Sequence, residues 1–230
     1  MSKLSTKSVK GSGLTTPKEI QPGNGSYKIN KVELEEFKLR PGSRHVILYM
    51  ESVPMANGFE GFLIDKDKPE LGKYAGQVGR VKAGEWAYED GTTKSGVQVF
   101  RDDEILKFIK TLCQAVGQPG WLDTQDDKHD TIESLVDAFN AEKPYAGVFL
   151  NFCIAGKMYK NKQGYDTYDL FLPKFSRKGV PFESVDVKTS KLLNFNTEEH
   201  IKVNKKKEVE SFGSGDDVPV SPAASKSFEI

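Results

Sequence analysis

Two apolar periodicities alternate along this chain, and their order limits the folds open to it. From Tyr27 to Arg101 apolar side chains mostly recur at every second position, the period of a strand with one buried face. From Asp102 to Ala141 they recur every third or fourth position, the period of an amphipathic helix. From Val148 to Leu172 the period returns to two. Strands, then helices, then a closing hairpin is an order compatible with an OB-fold, a five-stranded barrel whose helix lies between the third and fourth strands, and a different small barrel or sandwich with attached helices shares it. Of these, the fold class expected is mainly β with two helices (α+β): an OB-like five-stranded barrel with a helical insert between strands 3 and 4 and disordered termini.

The first strand pattern is Tyr27, Ile29, Val32 and Leu34, and the change of parity near Asn30 predicts a bulge. Pro41-Gly42-Ser43 marks a turn. His45–Val53 and Phe59–Ile64 read as strands, Lys66–Gly76 as a charged loop, and Gln77–Tyr88 and Val97–Arg101 as further strand joined by a turn at Asp90-Gly91. Asp102 is the expected N-cap of the first helix, whose apolar face is Ile105, Ile109, Leu112 and Val116. Gly117 and Pro119 end it. The second helix spans 131–141, with Asp130 and Glu133 at capping-box spacing and Ile132, Leu135, Val136 and Phe139 as its buried stripe. Lys160–Gly164 forms a hairpin tip, and Pro173 ends the last strand of the barrel.

Composition sets the ends. Fourteen Phe, eight Tyr and two Trp supply a core, but hydrophobic residues total only 37%. Residues 1–26 read as a disordered basic arm, 27–173 as the OB-like domain, 174–207 as a basic extension and 208–230 as a disordered acidic tail. No run approaches the ~20 apolar residues of a membrane helix, and the first residues lack the apolar segment of a secretory signal. Cys113 and Cys153 lie apart in apolar segments and read as buried free thiols.

The formal net charge is zero, with 33 basic and 33 acidic residues. By segment the balance is uneven: +3 for 1–26, +1 for 27–101, −6 for 102–143, +6 for 144–207 and −4 for 208–230. A basic hairpin and extension thus lie between two acidic segments. In the hairpin, alternation turns Val148, Leu150, Phe152, Ile154, Met158, Tyr168, Leu170 and Leu172 inward. It turns Phe149, Asn151, Lys157, Tyr159, Tyr165, Thr167, Asp169 and Phe171 outward. Exposed rings at Phe149, Tyr159, Tyr165 and Phe171, among Lys157, Lys160 and Lys162, supply what a single-strand binder needs: cations for phosphates and π-faces for bases. Lys174, Arg177 and Lys178 would extend that surface.

Catalytic signatures do not emerge. His45, His129 and His200 are far apart, and no HExxH, paired Cys/His set or nucleophile elbow occurs. Asp126, Asp127, His129 and Asp130 read as a solvated loop. A metal-dependent nuclease using Asp126 and Asp127 stays as one alternative, and a non-catalytic virion or protein-interaction component as another. No cofactor and no metal are expected.

Several stretches resemble single-stranded DNA-binding proteins from the replication modules of tailed bacteriophages: TTPKEIQPGNGSYKINKVELEEF, GFEGFLIDKD, GQVGRVKAGEWAYEDGTTKSG, DKHDTIESLVDAFNAEKPYAG and YDLFLPKF. The resemblance spans roughly residues 15–207. It implies an OB-fold core, sequence-tolerant and cooperative binding of single-stranded DNA, no catalysis, and a location in the cytoplasm of the infected bacterial host. It also implies an acidic C-terminus that docks replication or recombination proteins, which here would use Asp216, Asp217, Phe228, Glu229 and Ile230. This tail is more dilute in acid than the family pattern, with Val218-Pro219-Val220 following the aspartates.

Overall fold

A 14-residue strand, β1 (Gly23–Glu36), serves two neighbours and so decides the architecture. Its first half pairs antiparallel with β6 (Phe149–Lys160), and its length from Tyr27 onward pairs antiparallel with β2 (Arg44–Ser52). The register slips between Ile29 and Lys31, as the parity change predicts. A bulge there bends the strand so that it can turn the corner of a barrel. β2 pairs antiparallel with β3 (Val78–Lys82), and β3 pairs in parallel with β7 (Asp166–Phe171) at Lys82 and Phe171. The amide of Leu172 donates to the Lys82 carbonyl at 2.8 Å beside that pair. β7 pairs antiparallel with β6, which closes the ring in the order β1-β2-β3-β7-β6-β1. The result is a closed, mixed, five-stranded OB-like barrel. This computed structural model describes residues 19–53, 77–173, 182–184 and 195–203.

The interior is filled by the inward set: Val32, Leu48, Val81, Phe152 and Ile154 are fully buried, with Ile29, Met50, Leu150 and Leu172 beside them. The gap where β3 and β7 diverge is partly filled by the chain that enters β1. The Ile20 amide donates to the Val78 carbonyl, and its side chain is buried against the bare α-carbon of Gly79. Pro22 lies against Gly156 in the same way, where a Cβ would come within 2.7 Å of the proline ring. The fold therefore begins earlier than the expected boundary near Tyr27.

Between β3 and β6 the chain makes a two-stranded hairpin, β4 (Gly91–Thr92) with β5 (Gln98–Val99), and then α1 (Arg101–Ala115) and α2 (Ile132–Glu142). The hairpin turn lies at Thr93–Gly96 rather than Asp90-Gly91, because Gly96 supplies the left-handed residue. Asp90 has another use: its carboxylate accepts the Arg101 amide at 2.8 Å, so α1 starts one residue before Asp102. Phe100, not Asp102, is the N-cap. In α2 the cap is Thr131, whose Oγ1 accepts the Ser134 amide, and Asp130 stands outside. Gly117 ends α1 with paired bonds from Gly117 N to Gln114 O and from Gln118 N to Cys113 O. Strand Gln77–Tyr88 is shorter than expected, since the chain bends after Lys82, and Tyr88 rejoins only as a bridge to Arg44. The expected strand Phe59–Ile64 and loop Lys66–Gly76 lie outside the described residues.

Three short elements add to β6. β8 (Phe182–Ser184) continues the line of β7, α3 (Thr197–His200) is a single turn, and β9 (Ile201–Val203) pairs in parallel with Gly156–Met158 along the edge that β1 leaves. Cys113 and Cys153 are buried free thiols, their pKa values pushed up by burial to about 11 and about 12. Among the described residues no helix is long and apolar enough to cross a membrane.

Two histidines are built in as neutral groups. His45 lies edge-on to Phe37 at 5.3 Å, and His200 Nδ1 accepts the Asn196 amide at 2.9 Å. Burial pulls both below the usual histidine value of 6.5. The unfolded chain then binds protons before the folded one does, so stability holds above pH 6.5 and declines as pH falls below it. A urea midpoint that drops between pH 7 and 5, and drops less in His45→Asn/His200→Asn, is expected. A flat wild-type profile over that range would contradict it.

Candidate nucleic-acid interface

The outward face of the barrel carries two rows of side chains on either side of a gap. β3 and β7 meet at Lys82 and Phe171 and then diverge, leaving a cleft of about 820 Å³. Arg80 lines one wall, Lys157, Tyr159 and Thr167 line the other, and Ile20 lies between. On the β3 side, Lys31, Tyr49 and Arg80 stand in register across three strands. The Tyr49 ring has Lys31 Nζ 5.7 Å and the Arg80 guanidinium 5.6 Å from its centroid. Its hydroxyl donates to Glu33, which raises the tyrosine pKa and lowers that of the carboxyl. On the β6–β7 side, Lys157 faces Asp169, Tyr159 faces Thr167 and Lys160 faces Asp166.

Above the cleft the bend after β3 places Trp86, 71% exposed, with Lys157 Nζ 4.7 Å from its ring centroid. Glu85 beside it accepts from Lys157 at 3.2 Å and from Lys202 of β9 at 2.5 Å. Burial works to raise the Glu85 pKa, but the bonds from the two lysines outweigh it and leave the carboxyl below its usual range.

The hairpin tip forms as the sequence predicts. Asn161 Oδ1 accepts the Gln163 and Tyr165 amides, both at 2.9 Å, and Gly164 takes the left-handed conformation. Tyr165 is left 69% exposed and Tyr159 45% exposed, with Lys160 and Lys162 between them in sequence. The inward and outward assignment of both strands agrees with the register, since Met158 faces Tyr168 and Gly156 faces Leu170.

Three expected members separate from this group. Phe149 is exposed but lies ten residues up β6, at most about 33 Å along the strand at roughly 3.3 Å per residue, opposite Lys28. Phe171 points outward yet is buried, because Lys157 and Lys202 extend over its ring with Nζ atoms 6.0 and 5.8 Å from the centroid. Asn151, also expected outside, is buried and accepts the Ser26 hydroxyl at 2.5 Å, since β6 is covered on both faces there. Lys174, Arg177, Lys178 and the tail positions Asp216, Asp217, Phe228, Glu229 and Ile230 lie outside the described residues.

Sequence reasoning missed Trp86, Tyr49, Arg80 and Lys31; Lys202 belongs to the C-terminal basic run that could wrap along a nucleic-acid backbone. A signal existed for Tyr49: alternation in HVILYMES puts it opposite Val46, Leu48 and Met50. Trp86, beyond the bend at Gly84, carried no periodic signal.

Most cations of this face are held by carboxylates: Lys31 by Glu33 at 3.5 Å, Lys82 by Asp169 at 2.7 Å, Lys160 by Asp166 at 2.7 Å and Arg80 by Glu35. Pairs this exposed contribute ~0–1 kcal/mol each, so an arriving phosphate can exchange with the carboxylate. His129 bonds to Gln125 in the loop before α2, and among the described residues no three His, Cys, Asp or Glu side chains are placed to hold a metal ion.

Fold and geometry together define an OB-like barrel with an aromatic and cationic outer face. Comparison with family models, with curated proteins and with solved structures returned no match for the chain.

Proposed function

We propose that the chain is a non-catalytic, sequence-tolerant single-stranded DNA-binding protein. It would coat and protect exposed strands during phage DNA replication, recombination and repair, in the cytoplasm of the infected bacterial host. The phage setting rests on the sequence resemblance alone. The binding activity is supported by one observation: the rings of Trp86, Tyr159, Tyr165 and Tyr49 stand on the outer side of the barrel among Lys31, Arg80 and Lys157, and Tyr159, Arg80 and Lys157 line the cleft between β3 and β7. OB barrels bind oligonucleotides on the face of their second and third strands and on the loops joining strands one to two and four to five. Here Tyr49 and Arg80 occupy that face, and Tyr165 ends the second of those loops. Rings accept any base, which makes such a surface tolerant of sequence. Docking of replication or recombination proteins by the C-terminal tail belongs to the same reading.

Titration with oligo-dT, followed by tryptophan emission, tests it. Trp121 is buried with its Nε1 donating to Glu142 at 2.7 Å, so quenching reports on Trp86. Binding in the micromolar range or tighter at low salt is expected, weakening with salt at a slope of ~0.7 per phosphate neutralised. Affinity weaker than ~100 μM at low salt, or affinity indifferent to salt, would exclude the activity.

A further inference from the structure

Lys157 on β6 and Lys202 on β9 face each other directly across the parallel pair. Like charges in that position repel. The repulsion is relieved by an anion between them: Glu85 Oε1 is 3.2 Å from Lys157 Nζ, and Glu85 Oε2 is bonded to Lys202 Nζ. Glu85 does not belong to a strand. It sits in the bend that follows β3, next to Trp86, so it can swing away without breaking the sheet. Both lysines also lie over Phe171, and Lys157 covers one face of the Trp86 ring.

We propose that Glu85 is an internal stand-in for a nucleic-acid phosphate: a strand phosphate displaces its carboxylate from between Lys157 and Lys202, and the adjoining base stacks on the open face of Trp86. This rests on the single-strand reading above and adds to it one nucleotide unit, with a resident competitor that sets its affinity. A carboxylate and a phosphate oxygen accept the same charge-assisted bonds from ammonium groups, so the exchange conserves the contacts of both lysines. The competitor also fixes the salt response. The displaced Glu85 carboxylate takes up a cation as the neutralised phosphate gives one up, so this subsite adds little to the salt slope of the wild type. Without the carboxylate, the cation released from the phosphate is not taken up again, and the full increment appears in the slope.

The test is oligo-dT titration of full-length wild type, Glu85→Gln and Asp123→Asn across a salt series. Asp123 is exposed in the turn after Trp121, and its replacement changes net charge by the same amount. Glu85→Gln is expected to bind about three- to tenfold more tightly at low salt, with a slope steeper by about 0.7, one phosphate's worth. Asp123→Asn is expected to match the wild type. Lys202→Met is expected to bind more weakly and to cancel the gain when combined with Glu85→Gln, which keeps the test open should Glu85→Gln alone fold poorly. A Glu85→Gln affinity equal to or below the wild type, or a gain no larger than that of Asp123→Asn, would overturn the proposal while leaving single-strand binding intact. Absence of binding in both wild type and Glu85→Gln would remove the single-strand reading itself.

Discussion

Replacing Trp86 and Tyr159 together with alanine is expected to weaken single-strand binding at least 30-fold without moving its salt slope. Base–aromatic stacking contributes ~1–3 kcal/mol per base, so two lost platforms remove ~2–6 kcal/mol, and 2 kcal/mol alone is about 30-fold. The two rings stand on different elements, Trp86 in the bend beyond β3 and Tyr159 on β6, so their losses should nearly add. Neither ring is part of the core, and the thermal midpoint should stay close to the wild type. The unchanged slope separates stacking from charge, because alanine removes no cation. Phe149→Ala is the internal control. Its ring is about as exposed as that of Tyr159 but lies ten residues up the same strand, beside Lys28 and away from the cleft. If the double variant bound oligo-dT as the wild type does, the face around the cleft would not be where bases stack. If Phe149→Ala cost as much, the strand would run along β6 rather than across the cleft.

The reading of the sequence succeeded where the signal was local. Alternation in β2, β6 and β7, the bulge after Ile29 and the apolar faces of α1 and α2 are each written within one element, and the register and burial follow them. It failed where a distant part of the chain decides. Period two states that Phe171 points out of the barrel, but not that Lys157 and Lys202 will lie across it. It states that Asn151 faces away from Leu150, but not that Ser26 will meet it there. The cap of α1 moved by two residues and that of α2 by one, the former for a related reason. Asp102 has the right chemistry for an N-cap, but Asp90, eleven residues before Arg101, already satisfies that amide. The functional face suffered most. Its best ring, Trp86, sits in an irregular bend, and its lysine partner comes from β6, 71 positions later. No pattern within either segment links the two.

Asn140→Ala is expected to lower the folding free energy by ~2–5 kcal/mol. Beyond the bulge, β1 has lost β6 as a neighbour, and the backbone of fully buried Val32 would face that edge without a strand partner. Asn140 of α2 supplies one. Its Oδ1 accepts the Val32 amide at 2.9 Å, and its Nδ2 donates to the Val32 carbonyl at 2.6 Å, as a strand residue would. The Tyr145 hydroxyl donates to the same Oδ1 at 3.0 Å, and Nδ2 also reaches the Val136 carbonyl at 3.0 Å. Alanine strands the Val32 amide, the Val32 carbonyl and the Tyr145 hydroxyl at once, and a buried group left without its partner costs ~1–3 kcal/mol. Against a total of ~5–15 kcal/mol this brings the domain near its threshold. Asn140→Asp distinguishes the roles of the two side-chain atoms. It keeps the acceptor for Val32 N–H and Tyr145 but sets a carboxylate oxygen against the Val32 carbonyl, so it should also destabilise, and less so at acid pH where the carboxyl can donate. Urea midpoints, with hydrogen exchange at the Val32 amide, measure both. A loss below ~0.5 kcal/mol for Asn140→Ala would mean that water replaces the side chain at that edge. Two of these bonds join the acidic insert to the barrel, through α2 and Val32 of β1, whereas the cationic face draws on Lys31 of β1 and mainly on Arg80, Lys157 and Lys202 of β3, β6 and β9. A variant that still folds should therefore bind single strands with wild-type affinity, and coupling between the two measurements would show that the insert positions the cleft.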